Sequence, residues 1–294
     1  MEPLPTIVTL LTDFGHRDEY VGVMKGVILS RAPHAVIVDL CHHIAPHDIR
    51  QAANMIAAAY GFFPEGTLHV MVVDPGVGGD RGIVLARSRQ CGFLCPDNGL
   101  LSGLVAQGTL QSAWQVTNPV FFADEVSATF HGRDIIAPVA GMLASGGSAE
   151  NLGAPMAIRD LVCLNEAPAM RTPDGSLRGT VVATDRFGNV LTDIGRDLLT
   201  SLGEGDLNQF LTIDIVGPQV IPLVATYSMT PAGELLALIG SRKTLEIAVN
   251  QGNAAILLGI KPGMPVRVRG QDGPSGPAPA RKTRTGDPQT ESTS

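Results

Sequence analysis

An acid and an arginine lie close together in the stretch VVDPGVGGDRG, residues 72–82. The acid, Asp74, directly follows an apolar run, and a Pro-Gly pair typical of a turn comes next. The turn predicts that the chain bends back and brings the guanidinium of Arg81 to the carboxylate of Asp74. An acid and a guanidinium that meet in a pocket can hold and polarise one small anion or one water molecule.

Two further acids share this position at the end of a β-type run. Asp13 follows TIVTLLT, and Asp185 follows GTVVAT. A single aspartate in such a place most often caps a turn by accepting hydrogen bonds from nearby backbone N–H groups. Three such acids in one chain favour a binding function, because a carboxylate at the end of a strand is well placed to bind ribose hydroxyls or an ammonium group.

The segment FHGRD, residues 130–134, adds a histidine beside a glycine, directly before a run with helical spacing. A single histidine in such a place is more often structural than catalytic. Where Asp74 and Arg81 reach the same pocket as His131, however, the three groups form an acid, a cation and an imidazole that can activate water. Convergence of these three side chains is therefore the test of a catalytic site.

Polar residues of the second half are harder to interpret from type and spacing. Phe187 and Asn189 follow Asp185 in DRFGNVLTDI, and Ser241 and Glu246 lie in GSRKTLEIAVNQGNAA. Taken alone, these segments are typical of turns and of a strand with a polar edge. Composition and spacing together indicate an α/β protein that binds a small polar ligand between two domains.

The first half of the sequence alternates strand-type and helix-type segments. This alternation predicts an α/β domain with a largely parallel sheet over residues 1–160, in which ligands bind beyond the carboxyl ends of the strands. The β-type runs are TIVTLL, AVIVDL, TLHVMVVD and GIVLARS, and the helical segments are YVGVMKGVILSRA, DIRQAANMIAAAYGFF, which begins at Asp48, and GRDIIAPVAGMLASG.

The pattern changes in the second half of the chain. Residues 161–178, rich in Pro, Gly and polar side chains, form a predicted connecting segment. The short β-type runs of residues 179–270 predict a smaller, mostly antiparallel β domain, which we expect to complete the substrate site. Residues 271–294 hold too few apolar side chains to offset the entropy of ordering, so we expect a disordered tail. The β-type runs of the second domain are GTVVAT, NVLTDI, QFLTIDIV, AAILLGI and PVRVRG.

Composition and charge exclude several kinds of protein. A net charge of −7 and an aromatic content of 4% argue against a nucleic-acid-binding protein, which needs basic and aromatic surfaces. The four cysteines show no metal-binding spacing, so we expect reduced thiols and no metal site. Without a signal-peptide pattern or an apolar run of about 20 residues, the sequence predicts a cytoplasmic protein that does not bind a membrane.

Six segments in the same order resemble one family, the S-adenosyl-L-methionine (SAM) hydrolases that form adenosine. These enzymes are also named SAM hydroxide adenosyltransferases and are related to fluorinases and chlorinases. The resemblance covers the chain from Ile7 to about Arg269. It implies an α/β N-terminal domain, a smaller β C-terminal domain and no cofactor, because SAM is the substrate. The segments are TDFGHRDEYVGVMKG, VVDPGVGGDRG, PDNGLL, TFHGRDIIAPVA, TDRFGNVLTDI and LEIAVNQGNAA.

The resemblance also implies an assembly and roles for individual residues. Members of the family are homotrimers that bind substrate where the first domain of one subunit meets the second domain of a neighbour. Asp74, Arg81 and His131 match the family's catalytic set, and Asp13 matches the aspartate that binds the ribose. Further matches in the second half are Asp185 for the amino group of the methionine part, Ser241 for its carboxylate, Phe187 and Asn189 for the adenine, and Glu246 and Val249 for the adenosine region.

Two positions indicate which nucleophile attacks SAM. The halogenating relatives carry a tyrosine at the position of Asp74 and a threonine at that of Val77. Because a carboxylate beside the reacting carbon repels halide, the resemblance implies in-line attack of water on the ribose 5′ carbon and hydrolysis of SAM to adenosine and L-methionine. Two alternatives stay open: a halogenase-type substitution at the same carbon, and a non-catalytic protein that binds SAM or adenosine.

Overall fold

The computed structural model describes residues 6–202 and 210–271. The chain divides between Pro168 and Ala169 into two compact units, the first unit and the second unit below. This division falls within the segment 161–178 that the sequence predicts as a connection. The predicted disordered tail, residues 271–294, lies outside the described residues from residue 272 onward, and Gln271 is the last residue of a strand.

The first unit contains a mixed seven-stranded sheet. Its strand order is β2-β1-β3-β5-β4-β6-β7. Strands β2, β1, β3 and β5 are parallel to one another, whereas β4, β6 and β7 join the sheet by antiparallel pairing, with β4 paired to β5. The predicted α/β class is confirmed, with parallel strands in the N-terminal part of the sheet. The strands are β1 (Ile7–Thr12), β2 (Val36–Cys41), β3 (Leu68–Val72), β4 (Ile83–Arg87), β5 (Gly92–Pro96), β6 (Ser112–Gln115) and β7 (Pro155–Met156).

Helices cover both faces of this sheet. On β1, Leu10 packs in one apolar cluster with α1 and α4, and Leu11 packs in another with α2, as expected because successive strand residues point to opposite faces. The predicted start of α2 is confirmed, since the Asp48 side chain accepts a hydrogen bond from the Gln51 N–H at 2.8 Å. The helices are α1 (Tyr20–Arg31), α2 (Ile49–Ala59), α3 (Ser102–Ala106), a π-helical turn (Gly132–Ile136) that leads into α4 (Ala137–Ala144), and 3-10 turns at Tyr60–Phe62, Pro119–Phe121, Ala149–Asn151 and Ile158–Asp160.

A histidine lies in the middle of this sheet. His69 on β3 is the register partner of Thr9 on β1, and its Nδ1 lies 2.8 Å from the Thr9 hydroxyl oxygen. Phe93 stacks on the ring at a centroid distance of 5.2 Å. The side chain is fully buried, and burial lowers the pKa of His69 from 6.5 to about 4. The folded protein therefore keeps this ring neutral near neutral pH.

We expect this histidine to reduce stability on acidification. Below pH 6.5 the unfolded chain binds a proton at His69 that the folded chain does not bind, so the free energy of unfolding falls until about pH 4. The full effect is up to about 3 kcal/mol. Urea denaturation across this pH range tests it: His69→Phe should lose this part of the pH dependence, and His34→Phe, at an exposed position, should keep it. If the free energy of unfolding fell equally steeply with decreasing pH in the parent and in His69→Phe, the expectation would be wrong.

The second unit is an antiparallel, barrel-like β structure, as predicted. Its strand order is β12-β11-β15-β9-β10-β14-β13, and β8 pairs with β9. An isolated parallel bridge pairs Leu223, which directly follows β12, with Ala237 on β13, the strand at the other end of this order. The strands are β8 (Met170–Arg171), β9 (Leu177–Thr184), β10 (Val190–Gly195), β11 (Phe210–Asp214), β12 (Pro218–Pro222), β13 (Leu235–Ile239), β14 (Thr244–Val249) and β15 (Pro265–Gln271).

One predicted strand of the second unit is wrong. The run AAILLGI forms a short helix, α6 (Ala254–Leu258), because its ends are capped. Asn253 accepts a hydrogen bond from the Ile256 N–H at 2.7 Å, and Gly259 ends the helix with a left-handed backbone, φ 64°. Periodicity could not separate helix from strand over so short an apolar run. The unit also contains α5 (Arg196–Thr200) and a 3-10 turn, Tyr227–Met229.

Across the described residues, no helix has the length and apolar character needed to cross a membrane.

Candidate active site

Asp74 and Arg81 form a buried ion pair just beyond the end of β3. The Arg81 Nε lies 3.0 Å from Asp74 Oδ1, and the Arg81 Nη2 lies 2.5 Å from Asp74 Oδ2. Only 5% of the Asp74 side chain and 12% of the Arg81 side chain are exposed. The two-point contact holds both planar groups in one orientation, which a single hydrogen bond would not do. The sequence-predicted meeting of these two side chains is therefore present.

The loop between these residues approaches a second segment closely at Gly78. Its backbone has φ +78°, a conformation that favours glycine, and a Cβ there would lie 2.3 Å from the carbonyl oxygen of Ala128. Because glycine has no Cβ, the loop can pack directly against the chain that leads to His131. This close approach brings the ion pair and the histidine together.

His131 contacts the guanidinium of this pair. Its Nδ1 lies 3.0 Å from Arg81 Nη2, and because a guanidinium only donates, the imidazole nitrogen accepts. The neutral ring therefore carries its proton on Nε2. Burial lowers the pKa of His131 below its usual value, and the charge of Arg81 lowers it further. The structure thus brings together all three residues of the predicted catalytic set, with the imidazole held neutral.

Asp74 and His131 line a cavity of about 680 Å³, a volume within the usual range of small-molecule sites, and Arg81 contacts both of them from behind this lining. Asp13 also lines it, at the end of β1, and accepts a hydrogen bond from the His47 N–H at 2.9 Å. The rings of Phe14, Tyr20 and Phe130 contact one another in its wall, with centroids 5.1 to 5.8 Å apart. The lining also includes Pro46, Val72, Val77, Ser127, Thr129, Gly132 and Arg133. This combination of aromatic wall and carboxylates suits a nucleoside.

In the second unit, Asp185 lies in a tight turn after β9. Its Oδ1 accepts from the backbone N–H groups of Phe187 and Asn189, each at 2.9 Å, and its Oδ2 accepts from the Asn189 side-chain amide. The turn-capping role expected of a lone aspartate is therefore present. Phe187 is 75% exposed at the tip of this turn, whereas Asn189 is buried.

A second cluster of polar groups lies near Asp185. The Tyr227 hydroxyl donates to Glu246 Oε1 at 2.5 Å, and burial, followed by the charge of Asp185, raises the pKa of the Glu246 carboxyl. Burial also lowers the pKa of the Arg242 guanidinium, while the charges of Asp185 and Glu246 oppose that shift. One cation thus lies near two carboxylates, an arrangement that can bind both the ammonium and the carboxylate of an amino acid.

The remaining predicted site residues differ in their surroundings. Ser241 is exposed, in the turn between β13 and β14. Val249, the last residue of β14, is only 7% exposed and packs in the apolar core of the second unit. Sequence reasoning missed Arg242 and Tyr227, although the quoted segment GSRKTLEIAVNQGNAA includes the arginine. An arginine next to Ser241, at the start of a strand with a glutamate, was the signal that could have identified it.

Known proteins match both units of the chain. The family model for the SAM hydroxide adenosyltransferase N-terminal domain matches residues 8–153, and that for the C-terminal domain matches residues 179–267. An (R)-S-adenosyl-L-methionine hydrolase of Thermus thermophilus is 36% identical over 281 residues, which cover 89% of this chain and 98% of the relative. A second such hydrolase, of Salinispora tropica, is 35% identical, and the match covers 91% of this chain and 99% of the relative. A fluorinase of Actinopolyspora mzabensis is 29% identical, and the match covers 89% of this chain and 96% of the relative.

A solved structure supports the same relationship. A crystal structure of a Thermotoga maritima protein superposes with a TM-score of 0.84 at 32% identity, covering 89% of this chain and 99% of that one. The matches to both domain models span more than half of the chain, and the hydrolases named above are more similar to it than the fluorinase. The chain belongs to the SAM hydroxide adenosyltransferase family.

Proposed function

We propose that this protein hydrolyses SAM to adenosine and L-methionine. The observation that carries the proposal is a nucleoside-sized cavity lined by Asp13, Asp74 and His131, with Arg81 in contact with both Asp74 and His131. The relatives of this family with 35% and 36% identity bear the name of that reaction, with the (R) configuration in it. We extend that configuration of the substrate to this chain.

The reaction needs one nucleophile and no acid for the leaving group. The water oxygen forms a bond to the ribose 5′ carbon while the bond from that carbon to sulfur breaks. Sulfur leaves with the electron pair as the neutral thioether of methionine, and the water proton passes to a base. Holding the water in line behind the 5′ carbon contributes about 7–11 kcal/mol when the attack geometry is tight.

Each side chain of the set has a separate task. The neutral His131 ring carries its proton on Nε2, so it donates a hydrogen bond to the water oxygen. It cannot take a proton at Nδ1, which accepts from Arg81. Asp74 keeps free lone pairs on its carboxylate and accepts the water proton. The Arg81 charge stabilises the hydroxide character that develops on the oxygen.

The other predicted residues bind substrate in this proposal. Asp13 accepts hydrogen bonds from the ribose hydroxyls, and Asp185 binds the ammonium of the methionine part. Arg242 binds the carboxylate of the same part, because its planar guanidinium can donate two hydrogen bonds to a carboxylate. The residues proposed to complete the pocket are Phe187, Asn189, Ser241, Glu246 and Val249.

Product analysis tests the proposal against both alternatives. We expect adenosine and methionine in equal amounts when the protein is incubated with (R)-SAM, and the same products when chloride is added. Chloride should not compete, because the Asp74 carboxylate neutralises Arg81 and leaves no net positive charge for a halide. A 5′-chlorinated nucleoside would instead establish the halogenase-type reaction. Tight SAM binding with no turnover would establish a binding protein.

The pH dependence of turnover follows from the neutral imidazole. Protonation of His131 would place two cations at the Nδ1 contact and break it. Since burial and Arg81 lower the pKa of His131, kcat should stay level down to the ordinary histidine range and fall only below pH 6.5. His131→Asn, whose amide oxygen replaces Nδ1 as acceptor but does not titrate, should have lower kcat without this acidic decline. An acidic decline unchanged in the variant would assign it to another group.

Three further statements belong to the proposal. The protein acts as a homotrimer with substrate sites at subunit interfaces, and light scattering should give three times the chain mass.

Turnover needs no cofactor or metal, so dialysis against EDTA should leave it unchanged. The protein is cytoplasmic, and cell fractionation tests that location.

A further inference from the structure

The segment PDNGLL, which the resemblance includes without a role, lies at the end of the sheet where β3 ends before Asp74 and β4 begins after Arg81. Strand β5 lies between β3 and β4 in the sheet, so the residues after β5 are next to both the end of β3 and the start of β4. Asp74 follows β3, and Arg81 precedes β4. Asp97 and Asn98, which follow β5, therefore lie next to the segment that holds Asp74 and to the segment that holds Arg81.

Two hydrogen bonds connect this segment to the residues that flank the pair. The Asn98 Nδ2 donates to the carbonyl oxygen of Val73 at 2.9 Å, and Val73 directly precedes Asp74. The Asp97 backbone N–H donates to the carbonyl oxygen of Gly82 at 2.9 Å, and Gly82 directly follows Arg81. Both carbonyl groups lie beyond the regular strand pairing. The two bonds thus fix both ends of the loop that connects β3 to β4 and holds Asp74 and Arg81.

We propose that Asn98 is a positioning residue that orients Asp74 against Arg81 by holding the carbonyl group of Val73. This inference rests on the proposed function, because Asp74 acts there on the attacking water. Asn98 does not line the cavity, so it acts through Asp74 and does not touch the substrate. Its replacement should change the rate of the chemical step and not the binding of SAM.

The surroundings of Asn98 argue against a role in stability alone. Its Oδ1 is buried, and among the described residues no donor lies within hydrogen-bond distance of it. An unpaired buried carbonyl group costs free energy, so an amide is a poor choice where only packing matters. The donor side of the same amide makes a short bond to the one backbone carbonyl next to Asp74. The Nδ2–H donor of Asn98 is therefore the group that accounts for an amide at this position, although the Oδ1 acceptor stays unpaired.

The decisive experiment compares kcat with SAM affinity. Asn98→Ala should lower kcat by about 10- to 100-fold, because a shift of about 1 Å near a reacting group costs up to about 100-fold in rate, while the Kd of SAM stays within about threefold. Asn98→Leu keeps a similar side-chain volume without the Nδ2 donor and adds no charge. It should lower kcat in the same way, and it replaces the alanine variant in the test if that variant does not fold. Asn118→Ala is the matched control. It removes another amide-to-backbone hydrogen bond of the first unit, to Asn151 O at 2.8 Å, and should leave kcat near the parent value.

A second readout does not depend on substrate. Hydrogen exchange at the Arg81 Nε–H, followed by NMR, should be faster in both Asn98 variants and unchanged in Asn118→Ala. If the parent protein fails to hydrolyse SAM, the proposed function is wrong, and this exchange measurement still tests the position of Arg81. Turnover within about twofold of the parent in the Asn98 variants, an affinity loss that matches the rate loss, or unchanged Arg81 exchange would overturn the inference.

Discussion

Asp74→Asn should reduce kcat for SAM hydrolysis by about 100- to 10,000-fold, the usual contribution of a general base. The amide cannot accept the water proton, and it leaves the Arg81 guanidinium without the negative charge that it now contacts at 2.5 Å. Because SAM binds mainly through other groups in our proposal, its Kd should change by less than about tenfold. Steady-state kinetics and calorimetry on the same preparations measure both quantities.

The control for this variant is Asp80→Asn in the same loop. Asp80 is exposed, so its replacement removes one negative charge near the site without touching the ion pair. Chloride gives an independent check. In Asp74→Asn the guanidinium of Arg81 has lost its counter-charge, so chloride should inhibit the variant and not the parent. A kcat for Asp74→Asn within about tenfold of the parent would remove Asp74 from the catalytic set.

Sequence and structure agree best where the interaction is local. The Asp74–Arg81 contact spans seven residues and one turn, so its geometry follows from the segment itself. His131 joins the pair across 50 residues, and its arrival depends on a loop that only glycine at position 78 allows so close to Ala128. Spacing alone could not predict that approach. The family resemblance predicts His131 as a catalytic residue, and its contact with Arg81 shows how it can act together with the ion pair.

The same distinction explains where the fold departs in detail from the sequence prediction. The parallel strands predicted from alternating β-type runs and helices are present, but β4 and β5 are joined by only four residues and pair as an antiparallel hairpin, which makes the sheet mixed. The run AAILLGI carried no periodicity long enough to reveal a helix, and its capping residues decided the outcome. Tyr227 could not be recognised because it meets Glu246 across 19 residues of sequence, through a contact that only the tertiary fold creates. Arg242, next to Ser241, could have been recognised from the segment itself.

Asp185→Asn should weaken SAM binding by about 10- to 100-fold, the loss expected when a charge-assisted contact with an ammonium disappears. At saturating SAM, kcat should stay within about threefold of the parent, because in our proposal Asp185 does not act on the water. Calorimetric titration with SAM and with methionine measures the affinity. Binding of adenosine should be unaffected, since adenosine has no ammonium group for Asp185 to bind.

The structure also gives Asp185 a turn-capping role, so the test needs a control with the same local chemistry. Asp214 ends β11 and accepts a hydrogen bond from the Gly217 N–H at 3.2 Å, which makes Asp214→Asn a comparable strand-end change in the same unit. If turn capping were the whole role of Asp185, both variants would shift the melting temperature alike and neither would change affinity. An affinity loss confined to Asp185→Asn separates substrate binding from turn formation, because Asp214 has the turn contact but no role in substrate binding in our proposal.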